Sequence, residues 1–172
     1  RTQLEVKVGS SGWSKAILLK KKGTLECLEF TNIAGAQCQQ LVSLAVSVNP
    51  APQHWRTTVV QFRPWYTVTN ASGRTLLVAQ HGFTDASAAT SVASGASAPF
   101  NWVDGTQPRL MSVAVAGCTD ASGRLVWSSG FPVDRVDSFA VKLRAPGGGA
   151  PTAAQFVSVR VRVEDLATGS GS

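Results

Sequence analysis

Leu41-Val-Ser-Leu-Ala-Val-Ser-Val48 alternates apolar with small residues at a period of two, the signature of a half-buried β-strand. The same period runs outward in both directions. It predicts strands at Leu4–Val8, Ala16–Lys20 and Thr24–Phe30 before this stretch. After it come Thr57–Phe62, Trp65–Thr69, Thr75–Gln80, Leu110–Ala116, Arg124–Trp127, Ser138–Arg144 and Phe156–Glu164. Turn formers separate them: Lys22-Gly23, Asn49-Pro50, Asn70-Ala-Ser-Gly73, Asp104-Gly105, Asp120-Ala-Ser-Gly123 and Pro146-Gly-Gly-Gly149. No long segment of 3.6 period competes. Many short strands with regular turns indicate an all-β, antiparallel β-sandwich with little or no helix. The Ala-, Ser- and Thr-rich segment Thr84–Ala98 reads as a mobile loop, with a short helix as the alternative.

A chain of 172 residues supports one domain with a proper core. Charged residues are only 15% of it, which suits a module partly covered by neighbours. No apolar run reaches the 18 or so residues that span a bilayer as a helix. Arg1–Val8 reads directly as a strand and Ala167-Thr-Gly-Ser-Gly-Ser172 as a linker-like tail, so both ends read as cuts from something larger. Three cysteines, Cys27, Cys38 and Cys118, form no paired framework and point to a reducing compartment. Against this stands Asn70-Ala-Ser72, a formal glycosylation sequon.

Net charge is +6, and Lys20-Lys21-Lys22 is its densest cluster. A solvated turn is the simplest reading, and contact with an anionic membrane surface or an acidic partner is the sharper one. Aromatics are not interleaved with the basic residues, which argues against nucleic acid.

Residues 13–48 are echoed by residues 127–163. Trp13-Ser-Lys begins a strand–turn–strand pattern that Trp127-Ser-Ser begins again 114 positions later. Leu41–Val48 is answered by Phe156-Val-Ser-Val-Arg-Val-Arg-Val163 at 115. Near-equal offsets indicate one complete repeat of about 115 residues plus part of a neighbouring repeat. The alternative is that hairpins of one sandwich look alike. Residues 1–166 then form a single β-sandwich module and 167–172 its tail.

Enzyme chemistry fails on inventory. His54 and His81 lie in turn-like sequence, neither near a partner at metal-ligand spacing. There is no nucleophile elbow and no phosphate-cradling loop. Asp104 and Asp134 fall in turn contexts where Asp serves the backbone. No catalytic residue, metal site or cofactor is therefore expected. Of the five tryptophans, Trp13, Trp65, Trp102 and Trp127 flank strands and are expected in the core, with Trp55 partly exposed.

The most distinctive stretch is Phe62-Arg-Pro-Trp-Tyr-Thr-Val-Thr-Asn-Ala-Ser-Gly73. Pro64 begins a short aromatic and β-branched strand through Trp65 and Tyr66. Asn70 then opens a turn closed by Gly73. Its amide suits this place because it bonds nearby backbone groups, so Asn70 is expected to hold a loop.

Three stretches together resemble the adaptor-binding domain of the vacuolar protein sorting 13 family of bridge-like lipid transfer proteins. They are Trp13-Ser-Lys with Trp127-Ser-Ser, Arg63–Gly73, and Ala98-Pro-Phe-Asn-Trp-Val-Asp104. In the last, Val103 interrupts the Trp-Asp pair of the family pattern. The resemblance implies a repeated β-rich module whose characteristic asparagine is Asn70. It implies a non-catalytic module that binds adaptor proteins through short Pro-x-Pro motifs, or scaffolds neighbouring repeats of the same chain. The parent would be cytoplasmic and peripheral at organelle membranes or membrane contact sites. Candidate adaptor-binding or repeat-defining residues are Asn70, Pro64, Trp65 and Tyr66, with Lys20, Lys21 and Lys22 as a membrane-facing cluster. The alternative is an extracellular carbohydrate-binding or adhesion sandwich, with exposed tryptophans as sugar platforms and a glycan on Asn70.

Overall fold

The structure is a computed structural model that describes residues 3–19, 25–34, 38–51, 53–85, 88–120, 122–134, 138–144 and 156–162. Its two larger sheets and its two outlying hairpins are built from antiparallel pairs, and no helix occurs among the described residues. The all-β sandwich class expected from the alternation is borne out. The chain divides into two compact units. One comprises residues 1–67 and 99–107, the other 68–98 and 108–172.

In the first unit, β1 (Gln3–Leu4) pairs with β2 (Ile17–Leu18). Strands β3 (Leu25–Ala34), β4 (Cys38–Ala51) and β5 (His54–Pro64) form a meander in sequence order. The quoted stretch is the middle of β4. Its alternation aims Val46 and Val48 into a core with Ile17, Leu28 and Phe30, on which Leu4, Val6, Val8, Val42, Leu44 and Val60 pack. Each fully buried side chain of this size contributes about 1.5–3 kcal/mol. The start of β4 is buried on its other face too. Leu41 bridges to Trp102, which is fully buried, and Ser43 is buried beside Leu41 in sequence.

In the second unit, β7 (Leu76–Gln80), β8 (Thr90–Val92), β10 (Leu110–Thr119), β11 (Leu125–Trp127) and β12 (Phe131–Pro132) form a five-stranded sheet. Its spine is β7 against β10. Val78, Ala79 and Gln80 are buried there, as are all residues from Met111 to Val115. Burial on both faces marks central strands. β13 (Ser138–Arg144) pairs with β14 (Phe156–Arg162). β6 (Tyr66–Thr69) and β9 (Ser97–Phe100) make a further ladder.

Two expectations are corrected. Thr84–Ala98 is not simply a loop, because it carries β8 and the beginning of β9. Its small residues disguise two short strands, pinned by the buried Val92 and turned by Gly95 at φ 75°. The first strand is shorter than Leu4–Val8, for a chemical reason. Val8 N–H donates to Ser11 Oγ at 3.1 Å and Val6 N–H to Ser14 Oγ at 3.0 Å, so hydroxyls replace ladder carbonyls.

That serine device recurs. Ser14 N–H donates to Val6 C=O at 2.8 Å, and Ser14 Oγ donates onward to Lys15 C=O. Ser128 N–H donates to Val113 C=O at 2.9 Å, Val113 N–H donates to Ser128 Oγ at 3.0 Å, and Ser128 Oγ donates to Ser129 C=O. The flanking register matches as well. Leu4 faces Ile17 and Met111 faces Phe131, with Gln3–Leu18 answered by Leu110–Pro132. Further along, Leu28 faces Leu44 and Val141 faces Val159. The sequence echo is therefore an echo of hydrogen bonding, not only of composition.

Candidate functional site

The stretch from Phe62 to Gly73 is divided between the two units. Its first half belongs to the first unit and its second half to the other. β5 ends the meander, and no described strand pairs with its outer edge. Pairing of Phe62 with Val46 and of Val59 with Asn49 puts these two residues on opposite faces of the strand. Both remain exposed, Val59 by 45% and Phe62 by 38%. Trp65, at the bend after β5, is 39% exposed although its N–H is anchored to Ser43 C=O at 2.9 Å. Pro64 is exposed beside it. An unpaired edge flanked by apolar side chains is the surface that accepts an extended peptide, through main-chain hydrogen bonds and side-chain pockets.

Behind this edge the aromatics are structural. Tyr66 is half-buried and meets Trp102 edge-on at 5.4 Å, and Phe100 meets Trp102 edge-on at 5.0 Å. Each such pair is worth about 0.5–1.5 kcal/mol beyond burial. The tryptophan expectations thus divide. Trp102 is core and Trp127 half-buried, but Trp13 (69% exposed) and Trp65 are surface residues. Ser14 is locked to Val6 through backbone and hydroxyl, and its neighbour Trp13 faces outward. The Trp55 side chain, Cys38 and His54 side chains, and Lys20–Lys22 lie outside what is described, as does the tail 167–172.

Asn70 is buried, at 1% exposure, with every side-chain valence used. Nδ2 donates to Arg74 C=O and to Val92 C=O, each at 2.7 Å. Oδ1 accepts from Ser72 N–H at 2.9 Å and Ser72 Oγ at 2.7 Å. Its own backbone continues the tie: Asn70 N–H donates to Ala96 C=O and Gly95 N–H to Asn70 C=O. The residue staples its turn to the β8–β9 connection. A glycan on Nδ2 would replace one of its two N–H donors and break one of these bonds at a buried side chain, so the folded chain disfavours a glycan there.

Asp104 and His81 likewise bond to near neighbours. Asp104 Oδ1 accepts from Thr106 Oγ1 at 2.7 Å and Thr106 N–H at 2.8 Å, and the hydroxyl bond, then the N–H, holds its carboxyl below the usual value. Asp134 is exposed. His81 Nδ1 lies 2.9 Å from Ser112 Oγ, and its ring packs so closely on Gly130 that a Cβ there would come within 2.6 Å. Among the described residues, no three His, Cys, Asp or Glu gather to hold a metal. Cys27 and Cys118 are half-buried.

The sequence pointed to Asn70 as a turn residue, and its side chain does bond the turn. It did not foresee that Val59 and Phe62 are exposed on an edge strand, because alternation cannot say which strand ends a sheet. No curated protein matches the chain. The model of one protein family, the adaptor binding domain of Vacuolar-sorting associated protein 13, matches residues 1–168. A match over nearly the whole chain identifies this chain as a member of the vacuolar-sorting associated protein 13 adaptor-binding domain family, a protein-interaction module.

Proposed function

We propose that this module recruits its parent protein to organelle membranes by docking adaptor peptides of the Pro-x-Pro type along the outer edge of β5. The observation that carries this reading is the edge itself. Residues Thr57–Pro64 have no described strand on their outer side, and Val59, Phe62 and the adjacent Trp65 keep apolar surface in solvent. An extended proline-containing segment fits such an edge. Its free N–H and C=O groups continue the ladder where it has them, and its prolines need only apolar contact. Phe62 and Trp65 supply that contact, and Pro64 and Tyr66 fix the bend that presents Trp65. Asn70 acts through the loop it holds.

The parent is cytoplasmic and peripheral at membrane contact sites in this reading, and carries further modules of the same kind. The recurring serine lock and register favour one module of about 115 residues followed by part of another. The module needs no catalysis. Titration of a Pro-x-Pro peptide panel by calorimetry should give saturable binding at about micromolar Kd. Trp65→Ala should weaken it about tenfold without lowering Tm. Absence of a saturable signal across the panel contradicts direct docking.

A further inference from the structure

The two serine-locked hairpins differ on one edge, and the difference specifies an occupant. Val6 and Val8 turn their backbone groups inward, to Ser14 and Ser11. Successive residues of a strand point these groups to opposite sides, so Glu5 and Lys7 direct theirs to the outer edge. No described strand lies there. At the matching edge of β10 lies β7, paired from Met111–Gln80 to Val115–Leu76. With that edge filled, Met111, Val113 and Val115 are buried, whereas their counterparts Leu4, Val6 and Val8 are only half-buried. Ser112 and Ala114 are buried too, whereas their counterparts Glu5 and Lys7 are charged and exposed.

An uncharged strand like β7 would therefore strand two charges. The antiparallel occupant that satisfies this edge carries an acid opposite Lys7 and a base opposite Glu5, with apolar residues between them. Read from its own N-terminus it is apolar, acidic, apolar, basic, apolar. Leu4-Glu5-Val6-Lys7-Val8 is itself that sequence. We propose that the Leu4–Val8 edge pairs with the same edge of a second copy of this chain, across a two-fold axis at Val6. Glu5 of each copy then lies opposite Lys7 of the other. Their outward backbone groups make the hydrogen-bonded pairs of the ladder, and the two Val6 residues make the non-bonded pair between them. The two hydrogen-bonded positions and the two charge pairs coincide, so one register satisfies both. Closure by a two-fold axis also uses up the edge, leaving a dimer and no open fibre.

Sedimentation of the 172-residue chain over a concentration series tests this. The wild type should show a monomer–dimer equilibrium that weakens as salt is raised. Glu5→Lys alone and Lys7→Glu alone should each weaken dimerisation about tenfold, because each sets like charges opposite one another twice. The double exchange Glu5→Lys with Lys7→Glu should restore it to within about threefold, and an equimolar mixture of the two single variants should form a mixed dimer. Both sites are exposed, so circular dichroism should be unchanged throughout. A chain that stays monomeric at every concentration, or single variants that dimerise like wild type, or a double exchange that does not restore dimerisation, overturns the proposal.

Discussion

Asn70-Ala-Ser-Gly-Arg74 and Asp120-Ala-Ser-Gly-Arg124 differ in one residue, yet they do different work. Both use the side-chain oxygen in the same way. Asn70 Oδ1 accepts from the N–H and hydroxyl of Ser72, and Asp120 Oδ1 accepts from those of Ser122, at 2.8 and 2.6 Å, and from Arg124 N–H at 3.0 Å. The aspartate turn closes on itself, with Asp120 N–H donating to Arg124 C=O and Gly123 at φ 79°. It asks only for acceptors, which a solvent-facing carboxylate supplies. The asparagine turn closes on a neighbour. Nδ2 must donate to two carbonyls, one of them on β8, in a place closed to water. Carboxylate cannot donate. The choice between Asn and Asp thus reports whether a turn stands alone or ties two loops together.

Exchanging that one residue should break the comparison hardest. Asn70→Asp buries a charge against Arg74 and Val92 carbonyls and should cost about 3–5 kcal/mol of unfolding free energy. Asn70→Ala leaves the same carbonyls and the Ser72 N–H without partners, for about 2–3 kcal/mol. Both are read from urea unfolding. Equal stability of Asn70→Asp and wild type would show that the amide donors are dispensable.

Removing the shared hydroxyl is a finer probe. Ser72→Ala deletes one bond to Asn70 Oδ1 while leaving the Nδ2 donors in place, and should cost about 1 kcal/mol by the same unfolding measurement. A loss as large as that of Asn70→Ala would mean that Ser72, not the asparagine amide, holds the loop.

The smallest effect at neutral pH should come from Asp120→Asn, whose Tm should stay close to wild type. Its signature is pH. The Ser122 hydroxyl first, then Arg124 N–H, hold the Asp120 carboxyl below its ordinary value of 3.8. A carboxyl depressed in the folded state stabilises above its unfolded pKa, and that contribution is lost as pH falls through the folded value. Any Tm advantage of wild type over Asp120→Asn should therefore shrink on acidification below about pH 4. Asp104 is depressed in the same sense through Thr106, but it is present in both proteins and cancels. A gap that widens in acid would contradict the assignment.

Strands long enough to alternate were legible in the sequence, Leu41–Val48 most plainly. The turn role of Asn70 was legible because Asn followed by Ser and Gly has few other uses. What alternation could not give was sheet order, so the edge position of β5 among the described strands and its exposed Phe62 and Val59 stayed hidden. Thr90–Val92 and Ser97–Phe100 escaped because small residues in a strand resemble a loop. Trp13 and Trp65 were assigned to the core on proximity to strands. A single anchored neighbour, Ser14, or an anchored N–H, as at Trp65, suffices to hold the backbone while the indole stays in solvent.

Amide chemical shifts of the labelled chain, recorded as a saturating Pro-x-Pro peptide is added, test the central claim most directly. The account predicts perturbations concentrated along Thr57–Trp65 in wild type, their loss in Trp65→Ala, and none at the closed Asn70 turn. Perturbations centred on Asn70 to Arg74, with β5 unmoved, would contradict it.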